Sequence, residues 1–298
     1  MKRLSLFVLL LIGAACHSAG SDANEQKPTS ADIAEVPANG ESAPEIADES
    51  ELPPPRSLDE LLPEKLELLV DTWHGDLDAM IERRVIRVLV VSGSPQFFYF
   101  RGKPRGMVSE LLAMFQRDLN ASLGRRLDQV EVVPMPVSRD HLVPALLAGH
   151  ADLVAADLTI TNARSALVDF SVPFATGVDE VVVFAPGLGA DVTTLDDLSG
   201  RSVYVRKSSS YYEHLSVLNV DLISRGKAPI DVVEANELLR TEDILEMVNG
   251  QLVDATVVDS YKAGYWSAIF TDMVVRDDLV VHEGGKIAWA FRKDSPKL

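Results

Sequence analysis

The sequence predicts an α/β protein built as two lobes, and three observations carry that expectation. Short runs rich in Val, Ile and Leu recur along the chain at 85–91, 131–135, 151–160, 180–185, 202–205, 232–233 and 255–258, all but the two-residue 232–233 of strand length. Most of the segments between them place apolar residues at three- and four-residue spacing, the alternation expected of βα units. At 298 residues, 47% of them hydrophobic, the chain exceeds one average domain and has ample material for two cores.

Taken in order, the chain opens with Lys2 and Arg3, an apolar run from Leu4 to Ile12, and Gly13-Ala14-Ala15 before Cys16. The apolar run is too short for a dedicated membrane span. This stretch resembles a bacterial lipoprotein signal, with acylation at Cys16 and a lipid anchor to a membrane. The alternative is an ordinary secretory leader. Cys16 is the sole cysteine, so no intramolecular disulfide can form. His17 stands where Asp often marks inner-membrane retention, which points to the outer membrane. Residues 17–56 carry nine acids against two bases with almost no bulky side chains, and read as a disordered acidic tether ending at Pro53-Pro54-Pro55.

A helical lead-in is expected over 57–84, where Ser57 and Glu60 have capping-box spacing and Leu58, Leu61, Leu62, Leu66, Leu69 and Trp73 share a face. Val85–Val91 is a continuous β-branched run, the first core strand. Ser92 to Arg105 reads as a loop holding Phe97, Phe98, Tyr99 and Phe100. Gly106 to Leu119 is an amphipathic helix, Glu131 to Met135 a strand, and Arg139 to Ala148 a helix. Ala151 to Ile160 is a buried strand that ends in the polar cluster Thr159, Thr161, Asn162 and Arg164, where open α/β sheets place a ligand crevice. The Arg164 guanidinium could fork onto a carboxylate there, or simply cap a turn.

Glu180 to Ala185 is an extended apolar run, Ser202 to Val205 a strand, and Ser208-Ser209-Ser210 a serine run opening a helix, an anion-ready arrangement of hydroxyls and free N–H groups. Val232-Val233 is the next strand, Thr241 to Val248 a helix ending at Gly250, and Ala255 to Val258 a strand ending at Asp259. Asp259 also suits the N-cap of a helix over Ser260 to Trp266. Gly284 to Phe291 closes the chain as a return strand. The formal net charge of −17 argues against nucleic acid as a partner. No metal cluster, nucleotide loop or nucleophile constellation has credible spacing, so no cofactor is expected.

Gly149, Asp152, Thr159, Thr161, Arg164, Asp169, Phe170, Ser171, Pro173 and Phe174 together resemble the central signature of the periplasmic solute-binding proteins of family 3, the amino-acid-binding type. The resemblance implies a two-lobed periplasmic-binding-protein type II fold. It implies lobe 1 from 85–180 and 286–298, lobe 2 from 181–285, and hinges near Glu180–Ala185 and Glu283–Ala288. It also implies that Arg164 grips the ligand's α-carboxylate with Thr159 and Thr161 nearby, that Asp259 takes the ammonium group, and that Ser209 and Ser210 contribute from lobe 2. Phe97 or Phe98 would stack on the ligand.

Within the family, Gly75 to Val90, Arg206 to Glu213 and Glu283 to Ile287 are most similar to the N-terminal regulatory half of membrane-bound lytic murein transglycosylase F. That implies a first lobe incomplete at Leu298 and a catalytic domain absent from this sequence. The Glu-Ser pairs Glu41-Ser42 and Glu49-Ser50 both fall in the tether, so no cleavage is expected from this chain. The implied ligand is an amino acid or muropeptide, and the implied partner a cell-wall enzyme or a permease.

Overall fold

A computed structural model describes residues 68–124 and 129–298. The leader with Cys16, the acidic tether and residues 57–67 of the helical lead-in lie outside these residues. Helix α1 (Leu77–Arg83) starts where the Asp76 carboxylate accepts the Leu77 N–H at 2.7 Å. Strand β1 (Val85–Val90) follows, buried at every position, as a strand covered on both faces must be.

The segment expected to be a loop instead folds into a hairpin, β2 (Phe98–Phe100) with β3 (Lys103–Arg105). Gly106 turns the chain into α2 (Met107–Ser122) with φ of 102°, and any Cβ there would meet the Gln96 carbonyl oxygen at 2.4 Å, so only glycine fits. Strand β4 (Glu131–Pro136) leads through a short turn of 3₁₀ helix to α3 (Leu142–Leu147). Next come β5 (Leu153–Thr159), α4 (Asn162–Leu167), the two-residue β6 (Asp169–Phe170) and the long β7 (Ala175–Phe184).

Strand β8 (Ser202–Arg206) and β9 (Asp231–Ala235) form a separate parallel pair flanking α5 (Ser210–Ser224). Helix α6 (Thr241–Asn249), β10 (Ala255–Asp259), α7 (Ser260–Ser267) and β11 (Val274–Phe291) complete the order. The return strand begins ten residues before Gly284, because Asp277-Asp278 interrupts its apolar pattern in sequence without ending it in space.

The main sheet runs β10-β7-β11-β5-β1-β4, with β6 paired to β11. β1 lies parallel to both β4 and β5, while β11 runs antiparallel to β5 and β7. One core, around Ile86, Val88, Phe97, Leu112 and Val132, and a second, around Leu89, Leu142, Leu146 and Val154, pack on the two faces of the β4-β1-β5 part. A third core joins α5 and β8 to β7, β10 and β11 through Leu215, Leu222, Val203, Val205, Phe184 and Val257. β7 and β11 therefore run through both halves of the molecule, which gives the mixed open-sheet α/β architecture of the type II binding-protein fold.

Candidate functional site

The carboxyl ends of β1, β4 and β5 face the end of β8 and the start of α6. Between them lies a cleft of about 370 Å³, lined by Gln96, Arg139, Asp157, Arg206, Glu237, Glu242, Lys262 and Trp266 among others. A much smaller polar pocket adjoins it and shares Arg139, Asp157, Arg206, Thr241 and Lys262. Its remaining wall is Thr159, Arg164, Ser209, Ser210, Tyr211 and Asp259.

Arg164 is placed by α4, whose N-cap Thr161 accepts the Arg164 N–H at 3.2 Å. Its guanidinium is nearly enclosed and divides its donors between the halves of the molecule. Nη1 donates to the Thr159 carbonyl and Nη2 to the Ser208 carbonyl, both at 2.9 Å, while Nε lies 3.3 Å from the Glu213 carboxylate. Burial depresses the Arg164 pKa, against the attraction of Glu213. Ser210 Oγ donates to Thr159 Oγ1 at 3.2 Å across the same junction. The Ser209 hydroxyl is committed locally, donating to the Arg206 carbonyl and accepting the Tyr212 N–H as the cap of α5. Ser208 gives its N–H and its hydroxyl to the two oxygens of Glu237.

Asp259 ends β10 and is 2% exposed. Its side chain makes no capping bond to α7. One oxygen, Oδ2, instead lies 2.7 Å from Lys262 Nζ, and the other, Oδ1, is buried with no hydrogen-bond partner among the described residues. Burial alone would lower the Lys262 pKa, but the Asp259 carboxylate holds the ammonium well above its ordinary value. The Asp259 N–H donates to the Tyr211 hydroxyl at 3.2 Å. Burial, and then Asp259, push the Tyr211 phenol well up, keeping it a neutral donor and acceptor.

Of the residues singled out in the sequence, Thr159, Arg164, Ser209, Ser210 and Asp259 come together in one pocket wall. Thr161 serves as the N-cap that aims Arg164. The two phenylalanines stand elsewhere. Phe97 is fully buried in the core beneath β1, held by reciprocal backbone bonds with Gly93, and Phe98 lies on the exposed hairpin. Gln96 and Gly93 of that loop reach the cleft instead.

Four charged residues went unread in the sequence. Arg206 ends β8, just as Arg164 follows β5, and a basic residue closing an apolar run was the available signal. Arg139 begins the turn after β4. Lys262 stands one helical turn past Asp259. Asp157 interrupts an apolar run, has a left-handed φ of 49°, and sits where the β5–β11 register shifts between Ala288 and Ala290, a bulge that re-aims its side chain.

The comparisons with known proteins agree with this architecture. Residues 86–298 match the bacterial extracellular solute-binding proteins, family 3, and the chain belongs to that family. A membrane-bound lytic murein transglycosylase F from Desulfosudis oleivorans is 27% identical over 208 residues, which cover 70% of this chain and 42% of that protein. The chain thus spans about two fifths of that relative's length. An ancestral arginine-binding protein bound to arginine is 25% identical with a TM-score of 0.57, over 72% of this chain and 87% of that one. Holo ArgBP from T. maritima shares the fold at 24% identity and a TM-score of 0.56, over 73% of this chain and 87% of that one.

Proposed function

We propose that this chain is a periplasmic solute-binding module that closes on a small zwitterion, an amino acid or a muropeptide, and acts as a sensor or regulatory unit. The observation that carries this reading is the pairing of Arg164 and Asp259 in one buried polar pocket. Arg164 supplies a guanidinium beside hydroxyls from both halves of the molecule, and Asp259 keeps one buried oxygen without a donor. A ligand carboxylate displacing Glu213 from Arg164 would gain charge-assisted hydrogen bonds, and a ligand ammonium would satisfy Asp259 Oδ1. Ser210 and Thr159 would line the carboxylate, Thr161 would hold Arg164 in place, and Ser209 would position Ser210 as the helix cap.

The likeness to transglycosylase F relatives supports a regulatory role in a cell-wall context, with an attached or separate lytic transglycosylase as the controlled enzyme. The likeness to an arginine-bound receptor supports a second reading, a transporter's amino-acid receptor with a permease as partner. The leader around Cys16 is consistent with lipid anchoring, and His17 with the outer membrane. Under either reading binding needs no metal or cofactor, and the chain itself cleaves nothing.

The test is a calorimetric titration of the purified chain against a panel of amino acids and a muropeptide digest, with thermal unfolding alongside. Saturable binding at one ligand per chain, raising the unfolding temperature, is expected. Absence of saturable binding by every member of the panel overturns the reading.

A further inference from the structure

Two guanidiniums in the cleft have no carboxylate within ion-pair distance among the described residues. Arg206 is 5% exposed, donates from Nη1 to the Leu239 carbonyl at 2.6 Å and from Nη2 to Thr241 Oγ1 at 3.1 Å, and leaves Nε buried without an acceptor. Arg139 donates to the Ala156 carbonyl at 3.1 Å and makes no ion pair among the described residues. Both line the 370 Å³ cleft and both reach the polar pocket beside it.

Of the nearby acids, Glu237 is fully engaged, while Glu242 keeps Oε1 without a hydrogen bond among the described residues. Glu237 accepts from Ser208 at both of its oxygens, and Glu242 lies 3.3 Å from Arg240. Burial, followed by the like charge of Arg139, brings the Arg206 pKa down to about 10. A guanidinium kept buried beside another cation carries a cost that Glu237 and Glu242 offset only in part. An anion in the cleft would offset it. The distribution of acids agrees: Asp157 and Asp259 act on Lys262, whereas the acids acting on Arg206 are Glu237 and Glu242.

We infer that the ligand carries a second anionic group besides its α-carboxylate, and that Arg139 and Arg206 hold this group in the wide cleft while Arg164 and Asp259 hold the zwitterionic end. The inference rests on the proposed binding function and narrows it to acidic amino acids or peptides ending in such a residue. It separates this chain from the arginine-bound receptors that share its fold, whose ligand side chain carries the opposite charge. Burial of Arg206 explains why the preference should be strong. A neutral side chain would leave its Nε unsatisfied, and a cationic one would add a third positive charge to the pair.

The experiment is a titration of the whole chain with L-glutamate, D-glutamate, L-glutamine and L-arginine as probes. The inference expects either glutamate to bind at least about tenfold tighter than glutamine, the scale of one hydrogen bond to a charged group, with arginine weaker still. Arg206→Gln and Arg139→Gln should each narrow the glutamate-to-glutamine ratio, and Arg206→Lys should retain part of it. Arg139 is the less buried of the two, so its variant keeps the test intact if Arg206→Gln fails to fold. Glutamine or arginine binding as tightly as glutamate overturns this inference and leaves the binding function standing. Failure of all four probes to bind overturns the inference, while the wider panel still decides the function.

Discussion

Two clusters of buried arginines, one in each part of the molecule, look alike in sequence and differ in structure. Around Asp152, Arg87 is fully buried and every polar atom has a protein partner. Its guanidinium spans Asp152, the Asp71 carbonyl and the Gly149 carbonyl, and Arg83 joins the same carboxylate at 2.5 Å. Gly149 is needed there, with φ of 79° and Trp73 and His74 so close that any Cβ would collide. Arg83 Nε and the neighbouring Arg292 Nε stay unbonded there, as Arg206 Nε and Asp259 Oδ1 do around the cleft, so an unbonded atom does not by itself separate the two clusters. Charge separates them: the guanidiniums around Asp152 share its carboxylate, whereas Arg206 and Arg139 make no ion pair among the described residues. Asp152 and Arg164 belong to one sequence signature, yet the first ties strands and loops together and the second faces a pocket.

The contrast can be broken most forcefully at Asp152. Asp152→Ala strands Arg87 and Arg83 in the interior and is expected to cost at least about 3–5 kcal/mol, read as a collapse of the urea unfolding midpoint. A loss below about 1 kcal/mol would remove the distinction between the clusters.

Lys262→Met comes next. It strands one buried carboxylate rather than two guanidiniums, so about 3 kcal/mol is expected. This effect carries a pH signature. Burial tends to lower the Lys262 pKa, but Asp259 holds it above its ordinary 10.5, so the stabilisation is complete below pH 10.5 and is lost as pH rises through the folded value. The gap in urea midpoint between wild type and variant should therefore be constant near neutrality and close as pH rises through the folded value of Lys262. A gap that stays open at that pH would show that the ammonium is not the group responsible.

The smallest effect is expected at the junction of the halves. Glu180 on β7 is 1% exposed and has His214 Nδ1 on one oxygen at 2.7 Å, with His282 stacked on His214 at 3.8 Å between ring centres. Its other oxygen has no partner. His214→Ala should cost about 1–3 kcal/mol in unfolding free energy. Because Glu180 pairs in register with Asp259, ligand affinity should weaken too, and unchanged affinity would detach this trio from the cleft.

Much of the fold was legible because burial leaves a plain mark on sequence. β1 and β5 are buried at every residue and read as apolar runs broken only by Arg87 in the first and by Asp157 and the closing Thr159 in the second. The helix start in the serine run was legible, and Ser209 accepts the backbone N–H expected of a cap, whereas the cap at Thr161 was read only as part of a polar cluster. The hairpin at 98–105 was not legible. Exposed aromatics on two three-residue strands give no alternation against a core, and the reversal that buries Phe97 is set by backbone bonds to Gly93. The cleft was half legible. Arg164 stood out within a long motif and Asp259 at a strand end, whereas Arg139 and Arg206 acquire meaning only once the fold sets them in the cleft, and Lys262 only as the partner of Asp259. No local pattern records the absence of a partner.

The central claim is that the cleft's charges await a ligand while those around Asp152 serve the fold, and Arg164→Ala tests it most directly. Calorimetric titration of this variant with the tightest-binding member of the panel, beside urea unfolding, is the measurement. The account predicts an affinity loss of about 2–4 kcal/mol, with a much smaller change in stability because Glu213 is partly exposed and can hydrate once released. Unchanged affinity, or a loss of stability matching that of Asp152→Ala, would contradict it.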